Sequence, residues 1–422
     1  MAESRKIVLE ALIRVEEDGS YSNLTLNSFF KKENIKNEEK AFAAALFYGV
    51  LDRKITLDFY INKLSNIKVK KLDPITRQAL RMGIYQLYFM EKVPVSAAVN
   101  ESVELVKRSA EQKNFGFVNA VLRNAARKEI PLPTGKDLFS LSVRYSCPAF
   151  VLSELINDYG VEKAKDIIKA YLLPSKVNLR VNVLKTTADE LFDGLDKAGI
   201  RLEPSADNNC FTAMDGIDFS RNKFFSDGMF YVQDLSSAAC ALSVNAKSGE
   251  RILDVCAAPG GKSITMAMSM EDRGEIVSCD LYENRVSLIK SSAERLSINC
   301  IKPMVNDATV YNSQLGLFDA VLCDVPCSGF GVIRRKPEIK YKAVEDFSEL
   351  EEIQYKILCT SKNYLKNGGR LIYSTCTLRK AENEKIIEKF LLENKDFKCE
   401  YMHTDFPCEE NDGFFRALLI KI

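Results

Sequence analysis

Residues 254–263 read DVCAAPGGKS. A short apolar run, 251–256, enters this stretch, and a segment with helical spacing leaves it. The adjacent Gly260 and Gly261 let backbone approach a ligand and present amides at a helix start, an arrangement that suits a carboxylate or a phosphate. A Walker loop, G-x-x-x-x-G-K-[ST], would need glycine at 256, where Cys256 stands, and the dinucleotide pattern G-x-G-x-x-G is absent. From about residue 231 onward the rhythm is strand, turn, helix, repeated. Further strands are predicted at 275–279, 302–305 (weaker), 320–323 and 370–374. That alternation predicts an α/β domain with a doubly wound sheet and ligands at the carboxyl ends of its strands.

With both phosphate-loop readings removed, the reading that remains is a class I S-adenosylmethionine site in a Rossmann-like domain, the methionine part lying over the glycine turn. Asp280 ends the second strand, 26 residues after Asp254, where related nucleotide folds place a carboxylate on ribose hydroxyls. Asp307 follows the third strand, within reach of the adenine end. Either aspartate alone could simply cap a turn; their succession after this loop favours the cofactor. The glycine turn, Asp280 and Asp307 follow from this reading; with the resemblance given below, the expected cofactor-binding set is Cys256, Ala257, Ala258, Pro259, Gly260, Gly261, Lys262, Asp280, Arg285, Asp307 and Asp324.

The fourth strand runs into DVPCSG (324–329) and the fifth into STCT (374–377), so Cys327 and Cys376 sit at carboxyl ends expected to share one cleft. Most cysteines are small buried hydrophobes, and Cys240, Cys279 and Cys359 are read that way. A zinc site is a weak alternative. Cys323 and Cys327 have passable spacing, but strand period does not bring them together, and the single histidine, His403, lies far along the chain. No metal is expected. Acid, base or nucleophilic work falls to Cys, Asp, Glu or Lys.

The rest of the 422 residues frames this domain. Residues 1–130 have helical spacing, as at Ile7, Ala11, Leu12 and Val15 and again at Val99, Val103 and Val106. Pro131-Leu132-Pro133-Thr134-Gly135 is a stiff break. Residues 150–171 look helical, 177–183 (VNLRVNV) alternates like a half-buried strand, and 187–198 reads as a helix closed by Gly199. The expected division is an all-α domain at 1–133, a small α+β module at 136–230 and the α/β domain at 231–422. The chain has 59 basic and 58 acidic residues, which excludes a histone-like coat and, with 46% hydrophobic composition, wholesale disorder. Residues 1–133 nonetheless hold 22 Lys/Arg against 16 Asp/Glu, so an anionic partner or a solvated helical surface is expected there. No apolar run approaches the ~20 residues of a membrane span. No signal-peptide pattern opens the chain, so its twelve cysteines are expected as free thiols in the cytoplasm.

DVCAAPGGKS, FDAVLCDVPCSGFGVIRRKPEIKY (318–341) and GGRLIYSTCT (368–377) resemble the RNA cytosine-5 methyltransferases, and among them the bacterial RsmB (Sun) type that acts on 16S ribosomal RNA. The resemblance spans nearly the whole chain. MGIYQLYFM (82–90), VPVSAAVNESVELVK (93–107) and GFVNAVLR (116–123) are similar to its NusB-like RNA-binding domain. KVNLRVN (176–182) and MFYVQDLSS (229–237) resemble the RRM-like lead-in, and NDGFFRALLIKI (411–422) the closing strands. Phe150 and Tyr341 stand where tryptophan is usual and Ser297 where glycine is common, which touches details of RNA contact rather than chemistry.

The resemblance implies that Cys376 is a nucleophile adding to carbon 6 of cytosine, that Cys327 serves product release, and that Asp324 hydrogen-bonds the base. Lys262 would orient backbone or substrate beside the cofactor. Arg334 and Arg335 would touch phosphates or stand as ordinary solvated arginines. The implied partner is 16S ribosomal RNA before complete small-subunit assembly, read single-stranded or with a flipped base, and a monomer is favoured. Rival readings are the same chemistry on another RNA such as transfer RNA, a non-enzymatic NusB-like RNA-binding protein, and a small-molecule methyltransferase. The last leaves the basic helical third unexplained.

Overall fold

Apolar runs along the central strands after residue 250 bury both faces of one sheet. The computed structural model describes residues 2–32, 36–214, 216–341 and 347–422. It forms two units, Met1–Leu172 with Ile333–Ala343, and Leu173–Val332 with Val344–Ile422.

In the first unit, helices α1 (Ala2–Asp18), α2 (Ser22–Lys32), α3 (Asn37–Asp52), α4 (Lys54–Leu64), α5 (Pro74–Phe89), α6 (Val95–Lys107) and α7 (Phe115–Arg127) enclose an apolar core. Ile7, Leu12, Leu46, Phe47, Leu80, Val103 and Leu122 lie in that core. Helix α5 begins well: Asp73 accepts from the Thr76 amide (2.8 Å) and Pro74 occupies the first turn, where its missing N–H costs nothing. Helices α8 (Leu138–Tyr145), α9 (Ala149–Tyr159) and α10 (Val161–Ala170) join this unit. Residues 150–171 are thus two helices rather than one, broken at Gly160, whose φ of 78° lies in the left-handed region.

Residues 333–341, just beyond the fourth-strand cysteine, also pack in the first unit. Lys340 Nζ donates to the Asp52 carbonyl (2.8 Å), the Ser22 amide donates to Glu338 (3.2 Å), and Tyr341 Oη lies 3.2 Å from Ser146 Oγ.

The second unit opens with β1 (Val177–Val181), α11 (Ala188–Lys197), β2 (Leu202–Pro204), β3 (Cys210–Ala213), the short α12 (Lys223–Ser226) and β4 (Phe230–Val232). The strands form an antiparallel sheet in the order β2-β3-β1-β4. Thr187 and Glu190 cap α11 reciprocally, and Leu191 and Leu195 pack it onto Leu179, Val181 and Phe230. Strand β1 is buried on both faces, not half-buried as its alternation predicts. Its polar residues have partners within the unit: Asn178 Oδ1 accepts from Thr212 (3.0 Å), and Arg180 pairs with Asp207 (2.6 Å).

The larger sheet has the order β10-β11-β9-β8-β5-β6-β7. Its members are β5 (Arg251–Asp254), β6 (Glu275–Asp280), β7 (Ile301–Val305), β8 (Phe318–Asp324), β9 (Leu365–Thr375), β10 (Phe397–Asp405) and β11 (Phe414–Lys421). Strands β7, β6, β5, β8 and β9 run parallel, and β11 and β10 close the sheet antiparallel. Ile252, Ile276, Leu322 and Ile372 meet α13 (Leu235–Ser243), α14 (Gly261–Ser269) and α15 (Glu283–Leu296) on one face. Leu253, Val277, Val321 and Tyr373 meet α16 (Ser348–Ser361) and α17 (Glu384–Glu393) on the other. Strand order reverses between β5 and β8, so the crevice at their carboxyl ends is the ligand position this topology favours.

Candidate active site

The cofactor loop joins β5 to α14 with Gly260 in the left-handed region, φ 105°. A Cβ at Gly260 would meet the Ile289 backbone at an ordinary 3.4 Å, so it is the left-handed conformation that calls for glycine here. The Ala258–Pro259 peptide is cis. The loop is pinned to its neighbour strand: the Ala257 amide donates to the Cys279 carbonyl (2.7 Å) and the Ala258 amide to Asp280 Oδ2 (3.3 Å). Arg285 bridges the same elements, donating to Asp280 (3.0 Å) and to the Ala258 carbonyl (3.2 Å). Beside Asp280, the large apolar side chains of Leu281 and Tyr282 are exposed. Asp307 is exposed and accepts from the amide and hydroxyl of Thr309 (2.8 and 2.7 Å), so it does cap its own turn. Asp254 is buried and accepts from Ser263 Oγ (2.7 Å); burial pushes its carboxyl up to about 7.

From the loop, Lys262 reaches across to β8 and pairs with Asp324 Oδ2 at 2.7 Å. Burial would lower the Lys262 pKa, but Asp324 outweighs it and the ammonium holds its proton more tightly than usual. Asp324 Oδ1 accepts from Ser374 Oγ on β9 (2.8 Å). The fourth- and fifth-strand cysteines converge as their motifs predict: Cys327 Sγ and Cys376 Sγ are 3.3 Å apart. The hydrogen bond to Cys376, reinforced by burial, raises the Cys327 pKa well above the ordinary thiol range.

Several residues of this site escape sequence reasoning. Glu382, fully buried, accepts from the Ser328 amide (2.9 Å), the Ser328 hydroxyl, Gln354 Nε2 (2.8 Å) and Arg379 Nη1 (3.0 Å). Asn383 accepts from Thr375 Oγ1 (2.6 Å) and donates to the Thr377 carbonyl (3.0 Å). Gly331 donates its amide to the Cys376 carbonyl and accepts from the Gly413 amide, both at 2.9 Å. The only local signal at 382–384 is acidity before an apolar helical run, which reads as an ordinary helix start.

Arg334 and Arg335 belong to the segment that packs in the first unit, where Arg334 is 5% exposed and Arg335 half-buried, which does not fit an ordinary solvated arginine at 334. Tyr341 is likewise occupied within that unit, its ring 5.0 Å from Lys54 Nζ. Cys240 and Cys279 are buried as read, whereas Cys359 is half-buried. Ser297 adopts φ 58° at the end of α15, a left-handed cap that explains why glycine suits this position.

The sheet order, the glycine turn and the carboxylate ending β6 define a class I S-adenosylmethionine-dependent methyltransferase. The residues present fit that cofactor: a left-handed turn at a helix start, a buried carboxylate fixed beside it, and exposed apolar side chains next to the carboxylate. Comparison with known proteins narrows the class. The profile described as "16S rRNA methyltransferase RsmB/F" matches residues 241–419, the NusB family profile residues 2–127, and the ferredoxin-like domain of RsmF/B-like methyltransferases residues 147–211. The probable ribosomal RNA small subunit methyltransferase B of Bacillus subtilis is 38% identical over 93% of this chain and 89% of its own. The crystal structure of PH0851 superposes with a TM-score of 0.86 at 26% identity, covering 100% of this chain and 99% of that one. NSun6 from Pyrococcus horikoshii, solved with SFG, shares the fold with a TM-score of 0.60 at 22% identity, over 65% of this chain and 98% of that one. This chain therefore belongs to the RsmB/F family of 16S rRNA methyltransferases, and its cofactor is S-adenosylmethionine.

Proposed function

We propose that this enzyme methylates carbon 5 of a cytosine in 16S ribosomal RNA through a covalent Cys376–RNA intermediate. The observation that carries this reading is the pair of thiols 3.3 Å apart at neighbouring strand ends, flanking Asp324 and its Lys262 partner from the cofactor loop.

Carbon 5 of cytosine is a poor nucleophile. The Cys376 thiolate adds to carbon 6, forming the S–C6 bond and moving electron density to carbon 5, which divides one hard step into easier ones. With Cys327 as the proton-bearing partner of this contact, its S–H donates toward Cys376 Sγ and favours attack by that sulfur. Asp324, fixed by Lys262 and Ser374, accepts a hydrogen bond from the exocyclic amino group of the base and so orients the ring for the incoming thiolate. When bound, S-adenosylmethionine supplies an electrophilic methyl group. Afterwards Cys327, its own thiol proton having passed to solvent, takes the proton from carbon 5; the C5–H electron pair re-forms the C5=C6 double bond, the S–C6 bond breaks, and Cys376 departs as thiolate.

Residues Cys256 to Lys262 cradle the methionine part, Asp280 holds the ribose hydroxyls and Asp307 lies toward the adenine; Arg285 acts through Asp280, and Asp324 lies between cofactor and base. Residues 1–133 position the RNA by backbone contacts, 136–230 link, and 231–422 carry the chemistry. The target base is unstacked, on RNA not yet fully assembled into the subunit. The enzyme works in the cytoplasm as a monomer; among the described residues no helix is long and apolar enough to cross a membrane.

Bisulfite mapping of ribosomal RNA from a strain lacking the protein tests this assignment. One 16S cytosine loses its 5-methyl group and regains it when purified enzyme and cofactor are added. Loss confined to transfer RNA, or a methyl on another atom, would overturn it.

A further inference from the structure

Two thiols in contact are chemically alike, so something around them must decide which one ionises. The consecutive residues Glu382 and Asn383 at the start of α17 differ in charge and lie beside the pair. Each holds a different cysteine loop. Asn383, neutral, ties the Cys376 loop through Thr375 and Thr377. Glu382 ties the Cys327 loop through the amide and hydroxyl of Ser328, the residue next to Cys327. All its side-chain contacts, from Ser328, Gln354 and Arg379, are from groups able to donate, the surroundings of an ionised carboxylate. One clamp is therefore charged and the other is not.

We infer that Glu382 is a positioning residue that keeps the proton on Cys327 and thereby leaves Cys376 as the thiolate. This rests on the roles proposed above for the two cysteines. The charged and titratable groups around the pair are Asp324 with Lys262 on the cofactor side, Tyr373 (whose hydroxyl donates to the Glu382 carbonyl, 2.6 Å), and Arg379, which is shared between Glu382 and Glu351 (3.1 Å). Arg379 divides its charge between two carboxylates and so offsets Glu382 only in part. Consistent with this, the negative charges of Glu382 and then Asp324 add to the forces holding Cys327 protonated. Ser328 Oγ also meets Thr377 Oγ1 at 2.7 Å, so the charged clamp fixes the Cys327 loop against the Cys376 loop as well.

The test is site-resolved alkylation of the full-length enzyme by iodoacetamide across neutral to alkaline pH, read by peptide mass spectrometry, on wild type, Glu382→Gln and Glu382→Asp. In wild type Cys376 is modified at lower pH than Cys327. In Glu382→Gln the Cys327 profile moves to lower pH and the gap between the two thiols narrows by about tenfold or more in relative rate, the change that one pKa unit makes. Glu382→Asp keeps the charge and retains the gap. Melting and S-adenosylmethionine affinity establish that each variant is folded. Unchanged separate profiles in folded Glu382→Gln, or a gap lost in Glu382→Asp, would overturn the inference. Should Glu382→Gln not fold, Arg379→Gln takes its place: with its counter-charge removed, Glu382 holds Cys327 protonated more strongly and the gap widens, and an unchanged gap would overturn the inference. The cysteine roles are checked separately by whether a Cys327→Ala variant traps RNA, so the two ideas can fail independently.

Discussion

Replacing Gly331 with alanine asks whether the distance between the thiols is set by backbone. A Cβ there would lie 2.0 Å from the Gly413 carbonyl oxygen and 2.7 Å from that of Cys376, with no flexible side chain to give way. Restoring ordinary contact moves one of these segments by about 1 Å or more, an overpacking cost of ~1–3 kcal/mol. The two hydrogen bonds of Gly331, to Cys376 and from Gly413, are strained by that movement, at about 1 kcal/mol each. We expect a loss of roughly 3–5 kcal/mol in stability. Because the Cys376 carbonyl is one of the displaced atoms, turnover should fall by about 10²-fold, as for a 1 Å error in a reacting group. S-adenosylmethionine affinity should persist, since the glycine turn proposed to bind it follows β5, away from Gly331 in the chain. Single-turnover methyl transfer, calorimetric cofactor binding and thermal melting measure the three quantities. A Gly331→Ala enzyme with wild-type melting and wild-type single-turnover rate would refute the reasoning.

Three further outcomes are expected. Asp280→Ala should weaken S-adenosylmethionine binding by on the order of 1–3 kcal/mol for the lost charged hydrogen bond, with a further loss because the Ala258 amide and Arg285 lose their shared partner; calorimetry on the folded variant checks it. Burial lifts the Asp254 carboxyl to about 7, so between about pH 4 and that value the folded state holds a proton the unfolded chain has released, and stability falls as pH rises. Asp254→Asn should therefore raise stability at pH above about 7, by on the order of a few kcal/mol relative to its effect near pH 4; denaturant melts giving an equal effect at both would contradict this. Replacing the exposed Lys63, Lys68, Lys70 and Lys71 with glutamine should weaken RNA binding and flatten its salt dependence, by about 0.7 in slope for each single-strand phosphate no longer neutralised, leaving cofactor affinity intact; binding titrations at several salt concentrations measure it.

What could be read without the structure was local. The strand, turn and helix around Gly260, the carboxylates ending β6 and β8, and the cysteines beyond β8 and β9 all lie in short motifs whose geometry follows from strand direction and sheet order. What could not be read depends on approaches distant in sequence. Glu382 reaches back to Ser328, and Gly331 meets Gly413; nothing in the residues between them records either approach. The alternation of 177–183 predicts a solvent face, but the polar side of β1 is covered, and Asn182 Nδ2 donates to the Leu296 carbonyl on α15 (2.9 Å). Residues 333–341 carry no sign that they belong to the first unit, because their partners there, the Asp52 carbonyl and Ser146, are 288 and 195 residues away in the chain.

The central claim is that the two thiols act at opposite ends of one covalent cycle, and trapping tests it most directly. Cys327→Ala and Cys376→Ala enzymes are incubated with unmodified 16S ribosomal RNA and S-adenosylmethionine, then resolved by denaturing electrophoresis. The account predicts that Cys327→Ala, with release slowed by ~10²–10⁴-fold, accumulates a protein–RNA adduct attached at Cys376. It predicts none from Cys376→Ala or from the double variant. An adduct in Cys376→Ala and none in Cys327→Ala would exchange the roles, and equal loss of activity without any adduct would make both cysteines structural.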